Sequence, residues 1–170
     1  MQAVLLIGIP ATGKSTFFRQ RFFDTHVRLN LDMLRTRYRQ TLLLNACLEG
    51  KTPFVVDNTN VTAADRAAYV GPARAAGFAV IGYYFQSKAS DALVRNAARQ
   101  RSKAQHVSSA GVLGQSGRLE FPSPAEGFDE LYYVSIDPSS SDTSGPQFKV
   151  EAWREDEADA NPEASGGNEV

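Results

Sequence analysis

The sequence predicts an α/β protein built on a five-stranded parallel sheet with helices on both faces. Two observations lead there. Apolar, β-branched runs alternate with longer helix-compatible runs along most of the chain, the order of βαβ units. The first apolar run, Ala3-Val4-Leu5-Leu6-Ile7, passes through a glycine-containing loop directly into a helix-forming stretch.

In order, the elements are as follows. Residues 3–7 form a buried strand, and 14–23 a helix. "HVRLNL" at 26–31 alternates and reads as a second strand. Residues 32–49 read as one long helix stopped by Gly50. "PFVVD" at 53–57 is a third strand. Residues 62–76 form a helix with Thr62 as N-cap and Gly77 as its stop. "FAVIGYYF" at 78–85 is a fourth strand, 89 to about 101 an arginine-bearing helix, and "LYYVSI" at 131–136 a fifth strand. Residues 103–127, rich in Ser, Gly, Gln and Pro, read as a long connection of the kind that forms lids. "DPSSSDTSGP" at 137–146 is a linker, and "QFKVEAW" at 147–153 adds one edge strand at most. Residues 1–154 thus make one domain with a lid region at about 88–127, and 155–170 an acidic, disordered tail.

Bulk properties narrow the class. At 170 residues with 42% hydrophobic content, one domain with a single sizeable core is expected. No apolar run approaches the ~20 residues that cross a bilayer, and no export signal is read at the N-terminus. Cys47, the single cysteine, has no disulfide partner and lies in an apolar stretch, so it reads as a buried structural thiol. A cytoplasmic location follows as an expectation. The net charge of −1 hides an asymmetry: six acids fall within 155–170, leaving 18 basic against 13 acidic side chains, a net of +5, for residues 1–154. A basic folded part suits an anionic substrate.

The loop "GIPATGKST", 8–16, carries the chemistry. Gly8, four residues, then Gly13, Lys14 and Ser15 fit the phosphate-loop pattern G-x-x-x-x-G-K-[ST] at every fixed position. Glycines let the backbone curl so that several N–H groups point inward, and the following helix adds the positive end of its dipole. Gly8, Ala11, Thr12, Gly13, Lys14, Ser15 and Thr16 would cradle a di- or triphosphate, with Lys14 at the β- and γ-phosphates and the Ser15 hydroxyl on Mg²⁺.

Ligands of a parallel sheet sit beyond the C-terminal ends of its strands. Asp32, after the second strand, therefore belongs to the same cleft as Lys14. It reads either as a base for an attacking hydroxyl or as an ordinary helix N-cap. Arg35, one helical turn on, reads either as a clamp on an anionic acceptor or as a solvated charge, since Arg37 and Arg39 follow. Asp57, at the end of the third strand, reads as an acid that binds Mg²⁺ through water or orients Asp32 and Arg35, or as a turn carboxylate. Arg95 and Arg99 share a face of the 89–101 helix, as a lid closing over a triphosphate requires, or else they mark a basic surface. His26 and His106 are isolated, so no metal-ligand cluster is expected.

These residues, in this order, resemble the kinase domain of the polynucleotide 5′-hydroxyl kinases of phage and animal end-healing systems, P-loop ATP-binding proteins of the AAA_33 type. "GIPATGKSTF" is similar to that family's phosphate loop, and "NLDMLR" to its segment around the general base. "VVDNTNVTAADRAAYVGPARAAGF" is similar to the stretch after the third strand, "VRNAARQR" to the lid helix, and "RLEFPSPAEGFDELYYVSI" to the end of the kinase domain. The likeness covers about residues 3–136. It implies an adenylate-kinase-like P-loop fold, ATP and Mg²⁺ as cofactors, Asp32 as general base, Arg35 on the acceptor phosphate and Arg99 as the lid arginine. Leu31 stands where the family often has arginine, and Ala11 where it usually has glycine. The Asp-x-Asp-Gly-Thr motif of the phosphatase half of bifunctional members does not occur. The implied reaction is transfer of the γ-phosphate of ATP to a 5′-hydroxyl of DNA or RNA. The alternatives are a small-molecule hydroxyl acceptor, or a nucleotide-binding ATPase or regulator.

Overall fold

The computed structural model describes residues 1–98, 107–137 and 146–154. The segment carrying Arg99 and His106, most of the linker, and the acidic tail lie outside the described residues.

β1 (Gln2–Ile7) is the central strand, and its five residues from Ala3 to Ile7 are fully buried. A strand with no polar face needs cover on both sides, and this one has it. Leu5 and Ile7 enter the core formed with Val56, Tyr69 and Ala73. Val4 and Leu6 enter the opposite core, with Phe17, Phe18 and Phe85. β3 (Phe54–Val56) and β4 (Ala79–Phe85) flank it in parallel, with Val4 opposite both Val55 and Ile81. β2 (Val27–Leu29) pairs parallel with β3, and β5 (Glu130–Ile136) with β4. The strand order is β2-β3-β1-β4-β5-β6.

The five expected parallel strands are all present. β6 (Phe148–Ala152) joins them as a sixth, antiparallel to β5, so the sheet is mixed. Its anchors are aromatic. Phe148 meets Phe17 and Phe85 edge-on, and Trp153, just past the strand, packs against Tyr84 and Phe121.

α1 (Lys14–Arg21) stops before Phe23. α4 (Ala63–Ala75) starts at Thr62 as expected, in a capping box with Asp65, and Gly77 turns the chain out with φ 76°. The expected single helix over 32–49 is broken. α2 (Leu31–Leu34) ends at Arg35, whose φ is 72°, and α3 (Arg37–Glu49) starts afresh with Thr36 as its N-cap. The side chain of Thr36 accepts from the Arg39 amide. The region expected to be an irregular connection also holds a helix: α5 (Ala89–Ala98) is followed by α6 (Ser109–Ser116), capped by Ser108, and the two pack together. No helix among the described residues is long and apolar enough to cross a membrane.

Candidate functional site: a phosphate loop facing an acidic lip

The loop between β1 and α1 is a ring of internal hydrogen bonds. Lys14, only 8% exposed, turns its amine back and donates to the carbonyls of Gly8 at 2.7 Å and Ile9 at 2.6 Å. The Thr12 hydroxyl donates to the Ile9 carbonyl at 3.0 Å. Gly8 donates its N–H to Thr59 of the neighbouring turn, and Ile9 donates to the Ser87 hydroxyl beyond β4. Gly13 has φ 100°, and a Cβ there would lie 2.9 Å from the Phe148 ring, so both backbone angle and space require glycine. Gly13 is also the N-cap of α1 and provides no side-chain cap, and the first turn carries no acid. That leaves a positive helix end suited to phosphate oxygens. Ala11 adopts φ 65°, where a glycine is easier, and its carbonyl accepts from Arg95 Nε of α5 at 3.0 Å. Arg95 therefore reaches the backbone of the loop.

Across from the loop, one cleft is lined by Lys14, Ser15, Asp32 and Asp57, together with Leu31 and Asn58. Four of the residues expected to act together thus share a surface. Thr16 sits in the first turn of α1 with Ser15. Arg35 does not line the cleft. It follows α2 at the turn, exposed, and the broken helix places it off the continuous helical face expected for it with Asp32. Asp32 is not the helix cap. Asn30 does that work, accepting from the Met33 amide with its side-chain oxygen. Asp32 is left exposed at the lip of the cleft with its carboxylate uncommitted to capping.

Asp57 is 2% exposed and bound in an ion pair that the sequence did not reveal. Its Oδ2 accepts from both Nε and Nη2 of Arg28 on β2. The Arg28 guanidinium also lies over the Phe18 ring, 5.1 Å from its centroid. The only sequence signal for Arg28 was a charged residue between Val27 and Leu29 in a short strand. The turn after Asp57 is held just as tightly. The Asn60 amide donates to the Leu6 carbonyl at 2.8 Å, and Asn58 accepts from the Leu31 amide, fastening the start of α2. The Tyr69 hydroxyl receives Arg37 and Asn58 and donates to Gln40 at 3.1 Å. Burial raises the pKa of Tyr69, so the hydroxyl stays a donor at neutral pH. Below the turn, fully buried Arg66 forms a two-pronged pair with Glu126 and donates to the carbonyls of Asn60, Val61 and Glu120. The Asp-Asn-Thr-Asn and Ala-Glu-Gly-Phe runs thereby become one framework.

The donor set fits Mg²⁺. Ser15 and Asp57 line the same cleft, and no cluster of three or more His, Cys, Asp or Glu exists among the described residues. Mg²⁺ is commonly held by one or two protein groups plus phosphate and water rather than by a protein cage. With Oδ2 of Asp57 taken by Arg28, that carboxylate is suited to an outer position through water.

The fold is the α/β P-loop kinase fold, a mixed sheet of six strands flanked by helices. The chain belongs to the AAA domain family AAA_33, whose family model matches residues 4–122. It is similar to Kti12 of Chaetomium thermophilum, solved in complex with ADP-AlF3, at 15% identity and a TM-score of 0.60 over 84% of this chain and 92% of that one. A gluconokinase from Sinorhizobium meliloti 1021 matches at 18% identity and a TM-score of 0.53, over 79% of this chain and 82% of that one. At such identities the likeness is one of fold.

Proposed function

We propose that this protein is an ATP-dependent phosphotransferase whose acceptor is the 5′-hydroxyl of a polynucleotide. The observation that carries the reading is the shared cleft: an exposed carboxylate, Asp32, faces the phosphate loop and is not used as a cap. A carboxylate in that place can take the proton of an attacking hydroxyl, and whether the attacker is an acceptor or water is decided by the transfer assay below.

In this mechanism Lys14 leaves the Gly8 and Ile9 carbonyls for the β- and γ-phosphates, and the α1 amides receive the phosphate oxygens. Ser15, and Asp57 through water, would hold Mg²⁺, which would supply charge neutralisation on the phosphates. Asp32 accepts the proton of the acceptor hydroxyl as its oxygen bonds to the γ-phosphorus. The bond from that phosphorus to the bridging oxygen breaks, and ADP leaves. Arg35 holds the phosphate next to the reacting hydroxyl. Arg95 steadies the loop from α5, and Arg99, which lies outside the described residues, is assigned the role of the lid arginine that closes over the triphosphate.

One observation favours a smaller acceptor. Leu31, not an arginine, lines the cleft beside Asp32, so the cleft itself offers an acceptor little positive charge. The test is γ-labelled ATP offered with 5′-hydroxyl oligonucleotides and, separately, with a panel of nucleosides, sugars and other small hydroxyl compounds. Label on the oligonucleotide is expected. Label only on a small compound would replace the acceptor, and hydrolysis that no hydroxyl compound accelerates would replace the reaction class.

A further inference from the structure

We propose that the outward face of the first turns of α3 is a tract for single-stranded polynucleotide, on which Tyr38 stacks a base while Arg39 and Arg35 meet the backbone phosphates. The proposal rests on the kinase reading above and assigns the acceptor a path beyond the reacting end.

Tyr38 is the most exposed large hydrophobic side chain among the described residues, at 72%. It makes no hydrogen bond or ring contact among them. The inward face of α3 is set by Gln40, Leu44 and Cys47, all buried, which puts Tyr38 on the opposite side. Leu42, one turn along the same stripe, is 52% exposed. The tyrosine thus costs solvent exposure without packing for the fold.

Its neighbours are positive. Arg37 is turned inward onto the Tyr69 hydroxyl. Arg39 reaches back toward the Leu34 carbonyl at 3.5 Å, over the end of α2. Arg35, exposed, sits between the two helices with φ 72°. The Arg39 guanidinium therefore reaches the corner between α2 and α3 at which exposed Arg35 sits. Between residues 31 and 48 the only acid is Asp32 itself.

The position is right for a strand leaving the reaction centre. α2 opens at the cleft with Leu31 and Asp32, and α3 starts immediately after the corner. A chain whose terminal hydroxyl lies at Asp32 meets Arg35 first, then Arg39 and Tyr38. An exposed aromatic ring beside paired arginines is the standard recipe for unpaired nucleic acid: rings take base faces, and guanidiniums track phosphates. A duplex end, with its bases already stacked, offers Tyr38 nothing.

The experiment uses the full chain and three variants, Tyr38→Ala, Tyr38→Phe and Arg39→Gln, each checked for an unchanged melting temperature. Two quantities are measured: anisotropy of an eight-residue 5′-hydroxyl oligonucleotide labelled at its 3′ end, and kcat and KM for transfer to that oligonucleotide and to a nucleoside 3′-monophosphate. Tyr38→Ala should weaken oligonucleotide binding about tenfold, within the range that alanine substitution of stacking rings produces, while Tyr38→Phe keeps wild-type affinity. The loss should appear in KM and grow with acceptor length. Arg39→Gln should flatten the salt dependence of binding. Equal affinity of Tyr38→Ala and wild type for the oligonucleotide overturns the tract, whatever the protein phosphorylates. Tyr38-dependent binding without any transfer upholds the tract and removes the kinase reading. Absence of both binding and transfer removes both.

Discussion

The two walls of the cleft are built differently. The phosphate-loop wall is buried and made largely of main chain. Gly8, Ile9, Ala11 and Gly13 contribute amides, carbonyls and unusual backbone angles, and Lys14, Ser87 and Arg95 serve mainly to hold that backbone. On the opposite side Asp32 lines the cleft, and beyond its rim α2 and the start of α3 expose the side chains of Arg35, Tyr38 and Arg39. A triphosphate is the same in every ATP-using enzyme, so a backbone cradle serves it unchanged. An acceptor differs from enzyme to enzyme, and side chains on a surface can be exchanged without rebuilding the fold. The contrast locates shared chemistry in one wall and specificity in the other.

The contrast breaks most sharply at Asp32. Asp32→Asn should bind ATP–Mg²⁺ and melt as wild type does, yet transfer phosphate at least about a hundredfold more slowly, the low end for loss of a general base. Since Asn30 caps α2, the fold has no claim on Asp32, and normal transfer would show that another group takes the proton. Lys14→Ala addresses the other wall. Its expected loss is ~10²–10³-fold in kcat, typical of a preorganised charge at a transferring group, and isothermal titration should show weakened ATP binding as well, which Asp32→Asn would not.

A middle-sized effect comes from beneath the cleft. Arg28→Met leaves buried Asp57 without the guanidinium that its Oδ2 accepts from. Chemical denaturation should report a loss of about 2 kcal/mol, reduced from a fully buried pair because the Arg28 side chain is 28% exposed. The smallest effect is expected at the α2–α3 corner. Arg35→Gly removes a left-handed strain of about 1 kcal/mol but gives the unfolded chain a similar gain in freedom. The melting temperature should therefore hardly move even as acceptors bearing a neighbouring phosphate bind less well. A large drop in melting temperature would mean that the arginine holds the corner rather than the acceptor.

What could be read beforehand follows the same division. The phosphate loop was legible because its backbone angles demand glycine at fixed spacing, and Thr62 with Gly77 marked α4 by local chemistry alone. The break between α2 and α3 was not legible. Arg35 is neither Gly nor Asn, and nothing local announces its φ of 72°; Thr36 was a capping residue hidden inside an apparently continuous pattern. α6 was hidden by its composition, Ser-Ala-Gly-Val-Leu-Gly-Gln-Ser, in which two glycines blur any helical period. The pairs Arg28–Asp57 and Arg66–Glu126 join residues far apart in the chain, and no window of sequence contains both members.

Phe148 gives the phosphate loop a history in time. The loop and α1 are made well before the ring that packs against Gly13, which belongs to β6. On a ribosome, the loop stays open at its back until the five strands that precede β6 have emerged. The final packing of the loop is then a late event in the life of the nascent chain, arriving only with the strand at the edge.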